Sequence, residues 1–452
     1  MSHELSRGAE PSRFSPRAHV VALHPNVRAG SDMRPSLLAL GGALAEAGDF
    51  LVRTRKIMSM VAASLIALAP VHALAQDEQD RVAVRDRPRP DYDPLGMRFG
   101  AFDLNATLDL SATRTDNLFA TETGEVDDTV YRVGPSARLS SRWSRHALAI
   151  SAGGEARSHA DFSSEDAETA FLRANGRVDI GRNSNLTAAA GWAHEVEPRT
   201  NPDAQFFGAP NEFDRTDYVL GASHQFARFR ASVAAGHIDY DYDAPQDFRD
   251  SSEDNFTGRL DAEVTPRMAA FVQARVDDRE YDNQPGLSSE GRTFLAGLSL
   301  DVTDLIRGEI GVGQFERDYD SGANVDGVAI SGNLEWYLTR LTTLNFDASR
   351  SAEDSGGVVS SPYVASQYGA RVDHELLRNL IVSAGGSFGT RDYDVLDRED
   401  DFRALTLEGE YLMNRRVSLR GRFERVDVDS NGVNRYRDFE ANEFTLGVRL
   451  RL

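Results

Sequence analysis

From about residue 100 to the C-terminus the chain repeats one pattern: a run of about 10–12 residues alternating apolar and polar, a tight turn, a second such run, then a longer acidic loop. Period-two alternation is the mark of a strand with one apolar and one polar face. Phe444, Leu446, Val448, Leu450 and Leu452 alternate with Glu443, Thr445, Arg449 and Arg451; Leu104, Ala106, Leu108 and Leu110 alternate with Asp103, Asn105, Thr107 and Asp109. Phe294–Leu300 and Val328–Trp336 read the same way. Tight turns fall near 140–144, 181–184, 226–228, 265–267, 303–304, 339–340, 377–379 and 414–416. Long loops fall near 113–128, 157–168, 196–214, 240–253, 279–290, 317–325, 351–361, 392–401 and 427–437. Nine loops and eight turns separate 18 strands, and an even count returns both ends of the barrel to one side.

The expected fold is all-β: a transmembrane up-and-down antiparallel barrel over residues 97–452, with short periplasmic turns and long acidic extracellular loops. A propeller or solenoid could share the repeat length of roughly 40 residues, but propeller blades do not alternate short turns strictly with long acidic loops. A soluble sandwich would bury its apolar face. The opposite, polar face carries Arg259, Arg275, Asp301, Arg371, Glu408, Arg420 and Arg422, more charge than an exposed sheet over a dry core needs. Those residues are the candidate lumen wall. Phe171 and Phe271 fall in the same inward phase, too few to form an aromatic track for sugars.

The N-terminus agrees with export. Arg53, Arg55 and Lys56 precede an apolar run, Val61–Pro70, and Ala73-Leu74-Ala75 precedes Gln76, the order of a cleaved secretory signal. A transmembrane helix is disfavoured, because the run is short and Pro70 and His72 interrupt it. The expected division is a non-native, disordered extension at 1–51, a signal peptide at 52–75 cut between Ala75 and Gln76, a flexible periplasmic lead-in at 76–96, and the barrel. Val52 or Met33 is the expected true start. The location that follows is the outer membrane of a Gram-negative bacterium, reached by export through the inner membrane.

Composition removes several functions. The chain has no cysteine, which excludes disulfides and thiolate metal sites, and a net charge of −21 argues against nucleic acid. No zinc-ligand spacing or phosphate-binding glycine loop appears, so no cofactor is expected. His159 beside Ser158 and Asp161, and His237 beside Asp239 and Asp241, are the candidates for hydrolytic chemistry, but neighbours on a strand point to opposite faces. His146, His194, His224 and His374 fall in the lipid-facing phase. The chain is not expected to be an enzyme.

A small motif recurs where outward-running strands meet long loops: Asp239-Tyr240-Asp241-Tyr242-Asp243, Asp278–Asp282, Arg317–Asp320 and Arg391–Asp394. Its tyrosines suit an aromatic belt at the lipid boundary. Its carboxylates suit a solvated rim, divalent cations bridging to lipopolysaccharide phosphates, or the shaping of pore selectivity.

Asn105–Thr121, with Thr115-Asp116-Asn117-Leu118-Phe119-Ala120-Thr121 after the first strand, resembles the opening of a proteobacterial family of outer-membrane β-barrel porins. Val133-Gly134-Pro135 and Ser141-Arg142-Trp143-Ser144 fit the same pattern, and the resemblance covers about residues 96–452. It implies a place in the outer membrane and, through family members, an association with exopolysaccharide production. The last strand, with Phe444, Leu446, Val448, Leu450 and Leu452, resembles the signal read by the outer-membrane assembly machinery, although that signal usually ends in an aromatic residue. The expected partners are outer-membrane lipid and lipopolysaccharide, that machinery and polysaccharide export proteins. The expected function is a porin-like channel for passive diffusion of small polar solutes. The alternatives are a conduit or accessory for exopolysaccharide secretion and a non-conducting structural or adhesive barrel.

Overall fold

A computed structural model describes residues 82–201, 208–303, 305–354, 361–393 and 395–452. The expected extension and signal, including Ala73, Ala75 and Gln76, lie outside the described residues.

The alternating runs are strands: β1 (Met97–Phe99), β2 (Phe102–Thr115), β3 (Asp128–Ser141), β4 (Ala147–His159), β5 (Ala167–Ile180), β6 (Ser184–Val196), β7 (Glu212–Phe226), β8 (Phe229–Tyr242), β9 (Ser251–Thr265), β10 (Met268–Tyr281), β11 (Ser289–Thr303), β12 (Ile306–Tyr319), β13 (Asn324–Thr339), β14 (Thr342–Asp354), β15 (Pro362–Leu377), β16 (Leu380–Tyr393), β17 (Arg398–Leu412), β18 (Val417–Asn431) and β19 (Phe439–Arg451). Each of β2–β19 pairs antiparallel with its chain neighbours, and β19 closes on β2 from Glu443↔Thr115 to Arg451↔Thr107. The result is a closed barrel of 18 strands in which no edge is left unpaired. The additional three-residue β1 forms a hairpin with the start of β2, an element that the alternation did not reveal.

The barrel strands run 13–16 residues, longer than the 10–12 expected, because pairing continues beyond the apolar stretch into the acidic ends. The two faces separate as alternation requires. Leu172, Tyr218, Leu220, Val272, Phe294, Val312, Phe444 and Leu446 are exposed on the outside, where lipid tails replace water. Register irregularities lie beside short turns, as at Met268/Ala269 and Trp336/Thr339, where an extra residue tightens the corner.

The Thr115–Thr121 motif seals the closing seam. Asp116 Oδ1 accepts the Asn442 N–H at 2.7 Å, and Oδ2 accepts from the Asn442 amide at 2.8 Å. The buried Asn117 amide donates to Glu440 O at 2.8 Å and Thr121 O at 2.9 Å, while its Oδ1 accepts the Thr121 N–H at 3.0 Å. The first loop is thereby stapled to the last strand. Ala120, with φ of 49°, lies fully buried against Val428 and Phe439.

Candidate permeation path

The inward face is a wall of paired charge. Arg259 donates to Asp261 Oδ1 at 2.8 Å, to Glu309 Oε1 at 2.6 Å and to Ser299 at 3.0 Å, and its guanidinium lies 3.9 Å from the centre of the Phe271 ring. Arg275 pairs with Glu253 at 2.5 Å and Asp277 at 3.2 Å; Arg371 with Glu408 at 3.1 Å and Asp373 at 3.0 Å; Arg420 with Glu410 at 3.3 Å; Arg422 with Glu424 at 2.8 Å. Asp301 lies at the short-turn end of β11, just past the last regular pair Leu300↔Gly308, and donates its N–H to Arg267 O at 2.8 Å. Six of the seven wall candidates lie in these charge pairs, in separate clusters around the ring rather than in one site. Alternation reveals the face, while the partner three strands away, as Arg259 to Glu309, comes from barrel curvature and side-chain reach.

Eighteen strands spaced about 4.8 Å apart and tilted about 40° give a backbone circumference near 113 Å and a radius of roughly 18 Å. Side chains reduce the open radius to roughly 12 Å before anything enters the lumen. Two segments enter it.

The first is the loop between β6 and β7. In a ring of 18, β16 lies on the opposite side from β6 and β7. Yet Asn201 Oδ1 accepts from Arg391 on β16 at 3.4 Å, and the Arg437 guanidinium, between β18 and β19, donates to Arg199 O at 2.6 Å and Asn201 O at 3.3 Å. Those contacts exist only if the loop crosses the long-loop mouth. Its root is held by Glu197, which accepts both Arg249 nitrogens at 2.9 and 3.0 Å, Asn211 at 2.7 Å and Asn201 at 2.8 Å. Burial would push the Glu197 carboxyl up; the Arg249 guanidinium and the two amides outweigh it and hold the group below the usual carboxylate range. Arg199 fixes the next turn on Glu165 at 2.9 and 2.8 Å. A cavity between the crossing loop and the far wall is lined by Glu197, Tyr242, Arg249, Asp354, Tyr363 and Arg391, among others.

The tyrosines of the recurring motif line this mouth, which corrects the aromatic-belt expectation. Tyr281, Tyr319 and Arg279 converge on Asp354 at 3.4, 2.5 and 2.7 Å. Tyr242 stacks on Phe213 with centroids 4.8 Å apart and lies 4.3 Å beneath Arg249; Tyr393 is buried beside Tyr363 and Arg398. The reason is register: Tyr281 continues the Arg275, Asp277, Arg279 phase, so it faces in, while Asp278 and Glu280 face out. This signal stood in the sequence, in the phase rather than the residue type.

The second intruding segment, 82–96, was expected to be a flexible lead-in and instead packs against the inside of β14–β17 at the short-turn end. Val84 is fully buried and donates its N–H to Thr343 Oγ1 at 3.0 Å; Arg85 pairs with Asp373 at 2.8 Å and Glu408 at 3.1 Å; Arg89 pairs with Glu375 at 2.9 Å.

Among the described residues the histidines do not assemble a catalytic constellation. His159 stands 3.4 Å from Asp166 rather than bonding Asp161, while His237 lies between Asp254 at 2.9 Å and Asp239 at 3.0 Å with no nucleophile between them. His194 pairs with Asp214 at 2.7 Å; His224 and His374 bond Ser184 and Thr342 at 2.8 and 3.0 Å. His146 sits in the β3–β4 turn with φ of 66°, not within a strand.

Among solved structures the chain is similar to Pseudomonas aeruginosa OpdL (13% identity, 78% of this chain and 100% of that chain covered, TM-score 0.42), OccK2 (OpdF) (14%, 77% and 98%, 0.44) and the siderophore receptor PirA (9%, 80% and 81%, 0.40). No curated protein matches it. A family model described as "Putative beta-barrel porin 2" matches residues 89–452, from the segment inside the lumen to the last strand. The chain therefore belongs to that β-barrel porin family, and its closed 18-strand barrel is a porin-like channel of the Gram-negative outer membrane.

Proposed function

We propose that this barrel carries small polar solutes by passive diffusion. The observation behind the reading is the inward wall, where arginines and carboxylates neutralise one another around a lumen too wide for side chains alone to fill. Such a wall offers a solute hydrogen bonds without stranding an unpaired charge. The crossing β6–β7 loop reduces the mouth and sets a size limit; it would have to move for a polymer to pass, which places exopolysaccharide export second. On this reading the protein performs no catalysis, a signal ending at Ala75 directs export, Phe444 to Leu452 address the assembly machinery, and lipopolysaccharide surrounds the acidic rim. Planar-bilayer recording of the purified, folded protein tests it. Steady steps that scale with salt concentration are expected. Silence from barrels that show heat-modifiable gel mobility would overturn the reading.

A further inference from the structure

At the short-turn end the charge of this acidic protein is inverted. The eight turns hold nine arginines against a single acid, Asp304, which lies outside the described residues. The other acids near the turns do not cancel that charge on the lipid side. Asp179, Glu263, Glu335 and Glu375 belong to the inward phase of their strands. Asp179 pairs with Arg177 at 2.9 Å, Glu335 accepts the Tyr337 hydroxyl, and Glu375 serves Arg87 and Arg89. Asp86, Asp91 and Asp93 lie on the segment inside the lumen. The outward positions at this end are apolar, as at Ile180, Leu186, Phe226, Phe229 and Leu376.

Four of the turn arginines surround one arrangement built twice. Arg182 stands two residues before Ser184, the first residue of β6; Ser184 pairs in register with His224 of β7, and Arg228 follows four residues later. Arg340 stands two residues before Thr342, the first residue of β14; Thr342 pairs in register with His374 of β15, and Arg378 follows four residues later. The same spacing thus recurs eight strands on, nearly across the ring. In each copy the hydroxyl and the imidazole bond one another, Ser184 to His224 Nδ1 at 2.8 Å and Thr342 to His374 Nδ1 at 3.0 Å. Such a neutral pair holds two protons and uses one in the shared bond. The other, on Nε2 or on the hydroxyl, remains for an outside acceptor. The turns on either side of each pair stand two strand spacings apart, about 10 Å, a gap that two arginines bridge around one anion. All four arginines are exposed, and among the described residues Arg182, Arg228 and Arg378 make no ion pair. An apolar shelf adjoins each copy. Phe226 stacks on His224 and on Phe229 with centroids 6.0 and 5.7 Å apart, and Leu341, Leu376 and Leu377 are exposed beside the second pair.

We propose that the Ser184–His224 and Thr342–His374 pairs, each with its two turn arginines, are two clamps for the phosphodiester of an anionic phospholipid in the periplasmic leaflet. The chemistry matches in three respects. Guanidinium groups and the spare proton of each pair are donors, and phosphate oxygens only accept. The apolar shelf places the donors at the boundary between tails and head groups, where a lipid phosphate lies. The outward face beside the pairs offers no carboxylate to compete for the arginines. A lipid of net negative charge is favoured over a zwitterion, whose own cation would stand against the second arginine. The clamps do not depend on whether the lumen conducts.

Native mass spectrometry of the folded protein, released from micelles that hold phosphatidylglycerol and phosphatidylcholine in equal amounts, counts the lipids retained. Heat-modifiable gel mobility first confirms that every form is folded. The wild type should keep two molecules of phosphatidylglycerol. Arg182→Gln/Arg228→Gln and Arg340→Gln/Arg378→Gln should each keep one, and the four substitutions together none. Each double variant should weaken its own clamp roughly 30-fold, at about fivefold per arginine near a charged lipid surface. His224→Leu, which leaves both arginines in place, should weaken the first clamp about fivefold. Arg267→Gln/Arg416→Gln, in turns that flank no hydroxyl–imidazole pair, should still keep two. Equal retention of phosphatidylcholine by the wild type overturns the proposal. Equal loss in the Arg267/Arg416 variant overturns it in favour of a diffuse basic rim. Displacement of the lipid by millimolar inorganic phosphate overturns it in favour of a free anion.

Discussion

Replacing Arg249 by alanine should loosen the loop that crosses the outer mouth, and the size of the effect follows from its contacts. Arg249 gives Glu197 two hydrogen bonds at 2.9 and 3.0 Å, with the two side chains only 8% and 6% exposed. Removing one partner of such a pair strands a buried charge, commonly at a cost of 3–5 kcal/mol. Glu197 keeps the Asn201 and Asn211 amides and lies at a rim that water can enter, so the low end, about 3 kcal/mol, applies. At 1.36 kcal/mol per factor of ten, that is roughly a 150-fold change in the ratio of seated to released loop. Single-channel recording should show larger, noisier steps in Arg249→Ala, and mild proteolysis should cut the loop far faster. The pH dependence has a defined sign. The Glu197 carboxyl is held below its usual value, so its contribution is present above the ordinary carboxylate range and is lost as pH falls through the lowered value. Wild-type channels should become noisy only in acid below about pH 4.5, whereas Arg249→Ala channels should be noisy at neutral pH. Steps, noise and proteolysis identical to wild type would refute the claim that this pair holds the loop.

Other perturbations follow from the same geometry. Arg259→Ala leaves Glu309 and Asp261 without their shared cation and should move the reversal potential toward cation preference, while lowering the temperature at which the barrel loses its compact gel mobility. Gly297 sits under the Phe271 ring, where an added Cβ would meet Ile310 O at 2.1 Å and Phe271 Cζ at 2.6 Å; Gly297→Val should yield little folded barrel in an assembly assay, and Phe271→Ala alone should not rescue it, because the backbone clash remains. Asp354→Asn weakens the convergence of Arg279, Tyr281 and Tyr319 and should raise conductance modestly without loss of fold, whereas unchanged conductance would place Asp354 away from the narrowest section.

Alternation determined the barrel. Each run of β2–β19, its inward arginines and its outward aliphatics were legible because a strand has one side-chain period, and a closed membrane barrel leaves one sign of each face for lipid and one for water. Even the orientation of Tyr281 was present in its phase with Arg275; assigning it to the lipid boundary weighed residue type above register. What stands inside the lumen was not legible. Nothing in residues 82–96 or 197–201 alternates apolar with polar, and their places depend on partners far along the chain: Arg85 on Asp373 and Glu408, Asn201 on Arg391 across the ring. Local sequence fixes a strand's faces because backbone geometry repeats every two residues. Where an irregular segment lies is decided only once the barrel has closed and brought its distant charges within reach.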